Sequence, residues 1–251
     1  IEDACKLIRK QVPEFKIENI DYDDKETFDM LSQGLSDGVF QLESGGMRSI
    51  LTQLKPKSLE DVTAIISLYR PGPMDSIPTY IENSQHPEKV TYKHPLLKNI
   101  LNVTYGCMVY QEQVMEIVRT MAGYSYGRAD LVRRAMSKKK DYVMQAERKR
   151  FVYGDPETNV PGCVNNGISE AVANKIYDDM IDFAKYAFNK SHAACYAYVA
   201  YQTAYLKHYY PTEFMAPMMN SFRFNLAQAA WYISCCSAMG IPVLPPDVNK
   251  S

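Results

Sequence analysis

The spacing of apolar residues predicts a mainly α protein, a multi-helix domain with two or more lobes and only short strands. Three observations carry this. Apolar residues recur at intervals of three and four along most of the chain, the mark of helices that bury one face. Capping residues, prolines and glycines stand where these runs begin and end. Roughly a dozen runs of this kind are present, against one short extended segment.

Taken in order, Ile1, Cys5 and Ile8 give a helical interval closed by Pro13. Asp23 or Asp24 is placed to cap a helix over Lys25–Leu31, because a short carboxylate accepts the free amide protons of a first turn. Ser44 caps a helix carrying Met47, Ile50, Leu51 and Leu54, stopped by Pro56. Ser58 and Asp61 resemble a capping arrangement for a helix over Leu59–Leu68. The turn Tyr69-Arg70-Pro71-Gly72-Pro73 holds Arg70 at a stiff corner, since Pro71 disfavours helix at the residue before it.

Tyr105–Tyr110 reads as a short strand, followed by a helix over Gln111–Met121 that Gly123 ends. A short helix is expected over Ala129–Met136, with Leu131, Val132 and Ala135 toward the core. The Pro-, Asn- and Gly-rich stretch from Gly154 to Gly167 is the clearest loop. A long helix over Ser169–Phe188 follows, with Ser191 capping the next, through Lys207. Pro211 opens a further helix at its favoured first turn, and the last runs from Leu226 to Met239 before Gly240. The expected organisation is a connecting segment over 1–22, a first helical lobe with a basic patch over 23–153, a loop over 154–168, and a second helical lobe over 169–251.

The chain has 251 residues, 46% hydrophobic and 23% charged, enough for a substantial core and unlike a disordered segment. No apolar run approaches the ~18 residues of a membrane span, and the start lacks the order of a signal peptide, which leads to a cytoplasmic expectation and no membrane partner. Six cysteines show no C-x-x-C pairing, so neither a zinc site nor a disulfide framework is indicated. The opening at Ile1 without Met and the loop-like close at Pro245–Ser251 suggest a piece of a longer polypeptide.

A formal net charge of -1 argues against a wholly basic nucleic-acid-binding surface. The distribution matters more. Between Arg128 and Arg150, nine basic residues stand against only Asp130, Asp141 and Glu147, a local excess of about +6. On a helix, Arg133, Arg134 and, one turn on, Lys138 converge, and guanidinium forks suit phosphate oxygens. The same run reads equally as a solvated basic face. A second cluster, Phe188-Asn189-Lys190-Ser191-His192, places a lysine and a histidine at a helix start, where free amides favour anions. Nearby Tyr198, Tyr201 and Tyr205 read as packing residues. Arg70 serves either as a phosphate ligand or to close a helix end. The D-x-D of Asp21-Tyr22-Asp23 sits among polar residues before a helix, a setting for capping rather than for the clustered carboxylates of two-metal chemistry.

Five blocks then carry a resemblance: Gly38-Val39-Phe40-Gln41-Leu42-Glu43-Ser44, Tyr69-Arg70-Pro71-Gly72-Pro73-Met74, Val109-Tyr110-Gln111-Glu112-Gln113-Val114-Met115, Ala129-Asp130-Leu131-Val132-Arg133-Arg134-Ala135-Met136, and Phe188-Asn189-Lys190-Ser191-His192. In this order they resemble the fingers region of bacterial DNA polymerase III alpha subunits, the C-family replicases. The resemblance implies a fingers domain of a DNA-directed DNA polymerase in chromosomal replication. Its partners would be template-primer DNA, deoxynucleoside triphosphates and the rest of the alpha subunit, with the sliding clamp and other replisome subunits reached through other regions. It implies that Arg133, Arg134 and Lys138 face the triphosphate or the template backbone, and that Asn189, Lys190 and His192 line the nucleotide pocket; Arg70 joins them as a phosphate-binding candidate, and Lys139, Lys140 and Arg148 are candidates for binding DNA. It puts no catalytic residue, metal ligand or cofactor here, Mg2+ belonging to aspartates of a palm outside the sequence, so the fragment alone is expected to be inactive. The competing expectation is a non-catalytic helical nucleic-acid-binding or scaffolding module.

Overall fold

A computed structural model describes residues 1–137, 141–184 and 186–245 of the chain. Among the described residues the regular structure is helical: α1 (Glu2–Ile8), α2 (Lys25–Ser32), α3 (Gly45–Leu54), α4 (Leu59–Leu68), α5 (Ile77–Gln85), α6 (Lys98–Leu101), α7 (Gln111–Ala122), α8 (Tyr126–Ser137), α9 (Asp141–Tyr153), α10 (Glu170–Ala184), α11 (Lys190–Tyr209), α12 (Pro211–Ser221) and α13 (Leu226–Ala238). The mainly α class therefore holds. The strand expected over Tyr105–Tyr110 contracts to one parallel bridge between Tyr110 and Phe188. Its physical reason is local: Tyr105 and Gly106 both take left-handed backbone, at φ 51° and 83°, which breaks an extended run.

The chain divides into two compact units, Ile1–Leu59 with Tyr196–Ser251, and Glu60–Cys195. This differs from the contiguous lobes expected from sequence. The Gly154–Gly167 stretch lies within the second unit, where its backbone is tied down: Gly162 N–H donates to the Ala122 carbonyl at 3.0 Å and Cys163 N–H to that of Phe151 at 2.8 Å. Turn-rich composition marked a loop correctly, but composition carries no information on whether a loop separates lobes or packs inside one.

In the first unit, Ala4 and Ile8 of α1, Leu206 of α11, Phe214 and Met215 of α12, and Tyr232 and Cys236 of α13 form a buried cluster. Asp24 caps α2, its carboxylate accepting from Thr27 N–H at 2.8 Å. Ser44 caps α3 through Met47 N–H at 3.3 Å. Tyr201 is fully buried, and its hydroxyl donates to the Asp21 carbonyl at 2.9 Å while accepting from Asp24 N–H at 3.1 Å. The packing role expected for Tyr201 is met. Tyr198, by contrast, is 46% exposed.

In the second unit, α7, α8, α9 and α10 pack in succession. Val114, Ile117, Val118 and Met121 supply the buried face of α7 at helical spacing, and Gly123 ends it with left-handed backbone at φ 75°. On α8 the buried stripe is Ala129, Val132 and Ala135, whereas Leu131 is 62% exposed. The expected core role of Leu131 is corrected by that three-residue interval, which turns position 131 outward. The helix expected over Ser169–Phe188 ends at Ala184.

Candidate phosphate-binding site

Three stretches remote in sequence meet within the second unit: the corner after α4, the amino terminus of α7, and the Tyr186–Asn189 link into α11. The corner depends on Gly72. Its φ is 105°, and a Cβ there would lie 2.2 Å from a Tyr186 ring carbon, so a side chain is excluded by conformation and by contact alike. Arg70 locks the same junction. Its Nε donates to the Ser67 carbonyl at 2.9 Å, its Nη2 to the Tyr186 carbonyl at 3.0 Å, and its guanidinium stacks 4.1 Å from the Phe188 ring centre. Of its two sequence readings, the structure displays the helix-closing one. A cleft of about 600 Å3 opens beside it, and Asp75 and Asp182 on its walls make it a poor seat for an anion.

The amino terminus of α7 is the hub. Gln111 N–H donates to the Phe188 carbonyl at 2.8 Å, and its Nε2 to the Ala187 carbonyl at 3.2 Å. Its Oε1 accepts from Arg133 Nη1 at 3.3 Å, which links α8 to the α10–α11 junction. Glu112 accepts from Asn189 Nδ2 at 2.7 Å and from Lys190 N–H at 3.0 Å. Buried Gln113 completes the turn, its Oε1 accepting from Val109 and Tyr110 N–H at 2.8 and 3.0 Å.

Around this hub stand the cations. Arg133 and Arg134 share Asp130, with Arg133 Nη2 at 2.7 Å and Arg134 Nε at 2.6 Å. Hydrogen bonds from the two guanidinium groups hold the Asp130 carboxyl below its usual value. Lys190 Nζ donates to Glu60 at 3.0 Å and lies 5.3 Å from the Tyr110 ring centre. Asn189, not Ser191, caps α11: its Oδ1 accepts from His192 N–H at 2.9 Å. Chain geometry explains the correction, because α11 begins one residue before Ser191, leaving Asn189 in the capping position. The His192 ring meets Phe188 edge to face at 5.4 Å.

The structure thus ties Arg133, Asn189 and the Lys190 backbone to the start of α7, sets Arg70 and His192 against Phe188, and leaves Arg134 on Asp130 beside Arg133. Arg148 is engaged elsewhere, pairing with Asp178, reaching Asn174 at 3.4 Å and lying over Tyr177, so it ties α9 to α10. Lys138, Lys139 and Lys140 lie outside the described residues, as does the tail from Pro246 to Ser251. Sequence reasoning gave no role to Gln111, Glu112 or Glu60. The one available signal was the polar run Gln111-Glu112-Gln113 opening an otherwise apolar helix.

Comparison with known proteins adds a second line. The family described as the bacterial DNA polymerase III alpha subunit finger domain matches residues 1–159. The chain is 50% identical over 253 residues to a DNA polymerase III subunit alpha of Thermus aquaticus, covering 97% of this chain and 20% of that one. It is 45% identical to the Borreliella burgdorferi subunit, covering 100% and 21%, and 45% identical to a Staphylococcus aureus subunit, covering 94% and 21%. The chain spans about a fifth of the length of these relatives.

Proposed function

Since the chain belongs to the family of bacterial DNA polymerase III alpha subunit finger domains, we propose that it grips the incoming deoxynucleoside triphosphate and the template-primer during nucleotidyl transfer. The observation that carries this is that the start of α7 binds elements bearing cations on both sides: Gln111 accepts from Arg133, which shares Asp130 with Arg134, and Glu112 accepts from the backbone N–H of Lys190. Such a set of forks and an ammonium group suits the charge of a triphosphate.

The electrostatics support the reading. Each of these cations is paired with a carboxylate, but the Arg134 side chain is 64% exposed and that of Glu60 47%. Ion pairs this open to water are weak, so Arg134 and Lys190 are oriented without being committed, while Arg133 is held more closely by the half-buried Asp130. A polyanion then exchanges with Asp130 and Glu60. Once seated, Arg133, Arg134 and Lys190 hold the triphosphate for in-line attack by the primer hydroxyl and stabilise charge on departing pyrophosphate. Lys138, Lys139 and Lys140, outside the described residues, are assigned by their sequence alone, the first to the triphosphate and the other two to the DNA backbone, whereas Arg148 is held between α9 and α10 and is not assigned to DNA.

Magnesium would be held elsewhere in the polymerase. In the D-x-D, Asp21 Oδ1 accepts from Asp23 N–H at 2.9 Å, and the neighbouring Asp24 caps α2, in keeping with a helix start. No cluster of three or more candidate metal-binding side chains occurs among the described residues, and no step is assigned to metal on this chain. With the metal-holding carboxylates proposed for another part of the alpha subunit, the chain by itself is expected to polymerise nothing. The rest of the alpha subunit, and through it the sliding clamp and replisome, would complete the enzyme.

The test is the double variant Arg133→Ala, Arg134→Ala in the complete subunit. Incorporation, as kcat/KM for the nucleotide, should fall by about a hundredfold or more. Wild-type kinetics in that variant would sink the assignment, and loss of DNA affinity with unchanged nucleotide KM would favour a DNA-binding module without nucleotide selection.

A further inference from the structure

We infer that Glu112 and Asn189 form a positioning pair that aims Lys190 at the triphosphate. This rests on the function proposed above and refines its site.

An asparagine amide offers one carbonyl oxygen and one NH2 group. In Asn189 the oxygen accepts from His192 N–H at 2.9 Å and the nitrogen donates to Glu112 Oε1 at 2.7 Å. Both ends are thus engaged within the protein. The remaining oxygen of Glu112 accepts from Lys190 N–H at 3.0 Å. Together the two side chains answer two of the amide donors that the first turn of a helix leaves without a helical partner. They fix Lys190 at the first position of α11, and its ammonium comes to rest by Glu60 and over the Tyr110 ring.

Glu112 lies 77 residues before Asn189 and starts α7, next to Gln111, which holds Arg133. One helix start therefore sets the register of both halves of the cradle, Arg133 of α8 and Lys190 of α11. A shift of Glu112 would move Lys190 relative to Arg133 with the helices themselves intact.

This arrangement permits a charge-conserving exchange. In Glu112→Gln, the new amide keeps an oxygen for Lys190 N–H but faces the Asn189 nitrogen with its own. In Asn189→Asp, two carboxylates oppose each other. In the double variant, the Gln nitrogen donates to the Asp carboxylate, the Gln oxygen accepts from Lys190 N–H, and the second Asp oxygen caps His192, so every bond is restored.

The experiment measures kcat and KM for the nucleotide in the complete subunit for wild type, both single variants and the pair, with unfolding midpoints recorded alongside. Each single substitution should raise KM about tenfold or more, with the unfolding midpoint moving little. The pair should return to within about threefold of wild type. Recovery would establish positioning, because a direct contact through Asn189 would make the pair as poor as the product of the singles. That product, or wild-type KM in both singles, overturns the inference. Arg133→Ala, Arg134→Ala run in parallel separates the two levels: if it raises KM while the exchange fails to recover, only the positioning pair falls, and if it leaves KM unchanged, the reading of the whole site falls.

Discussion

Two lysines on one helix, Lys190 at the start of α11 and Lys207 near its end, have opposite fates. Lys190 is about one-third exposed, and its ammonium shares Glu60 with solvent. The Lys207 side chain is 4% exposed; its ammonium donates to the Asp37 carbonyl at 2.8 Å, with the Asp37 carboxylate at 4.0 Å and already paired to Arg48. Burial lowers the Lys207 pKa against the pull of Asp37. The first lysine can change partners at little cost, whereas the second is committed to the fold. Residue type does not separate an exchangeable cation from a structural one here; exposure of the paired charge does.

The contrast can be broken at several points. The largest loss of stability is expected on the committed side, where Tyr201→Ala should cost about 3–5 kcal/mol in urea unfolding, because it empties a fully buried aromatic site. At the corner of the second unit, Gly72→Ala should cost roughly 1–3 kcal/mol through its left-handed strain and the collision with Tyr186. It should also lower kcat/KM by displacing the link into α11; normal stability in that variant would show that the corner tolerates movement.

A smaller, pH-dependent effect is expected at Lys207. Its folded pKa lies below its unfolded value, so the unfolded chain holds the proton more tightly, and stability rises with pH through the interval that ends near 10.5. Lys207→Met should remove that contribution, seen as a flatter stability difference between neutral and alkaline pH. Least of all, Arg134→Ala should move the unfolding midpoint by less than about 2 °C, since its pair with Asp130 is open to solvent.

Local elements were legible in the sequence where short-range chemistry decides them. Asp24 and Ser44 cap the helices expected of them, and Gly123 closes α7. The site was legible as cationic side chains, because charge runs and a helix start are visible in one dimension. What holds those side chains was not. Glu112 reaches Asn189 across 77 residues and Gln111 reaches Arg133 across 22, and no periodicity reports a bond between two helix starts. The division into units was hidden for a similar reason: α11 carries the chain from one unit into the other without a break in its helical pattern.

The central claim is that the Lys190 cluster meets the triphosphate, and its most direct test is acylation of lysines in the complete subunit bound to primer-template, with and without the correct nucleotide, mapped by mass spectrometry. Lys190 should be shielded only when nucleotide is present, with Lys207 unreactive in both states. Equal labelling of Lys190 with and without nucleotide would contradict the claim.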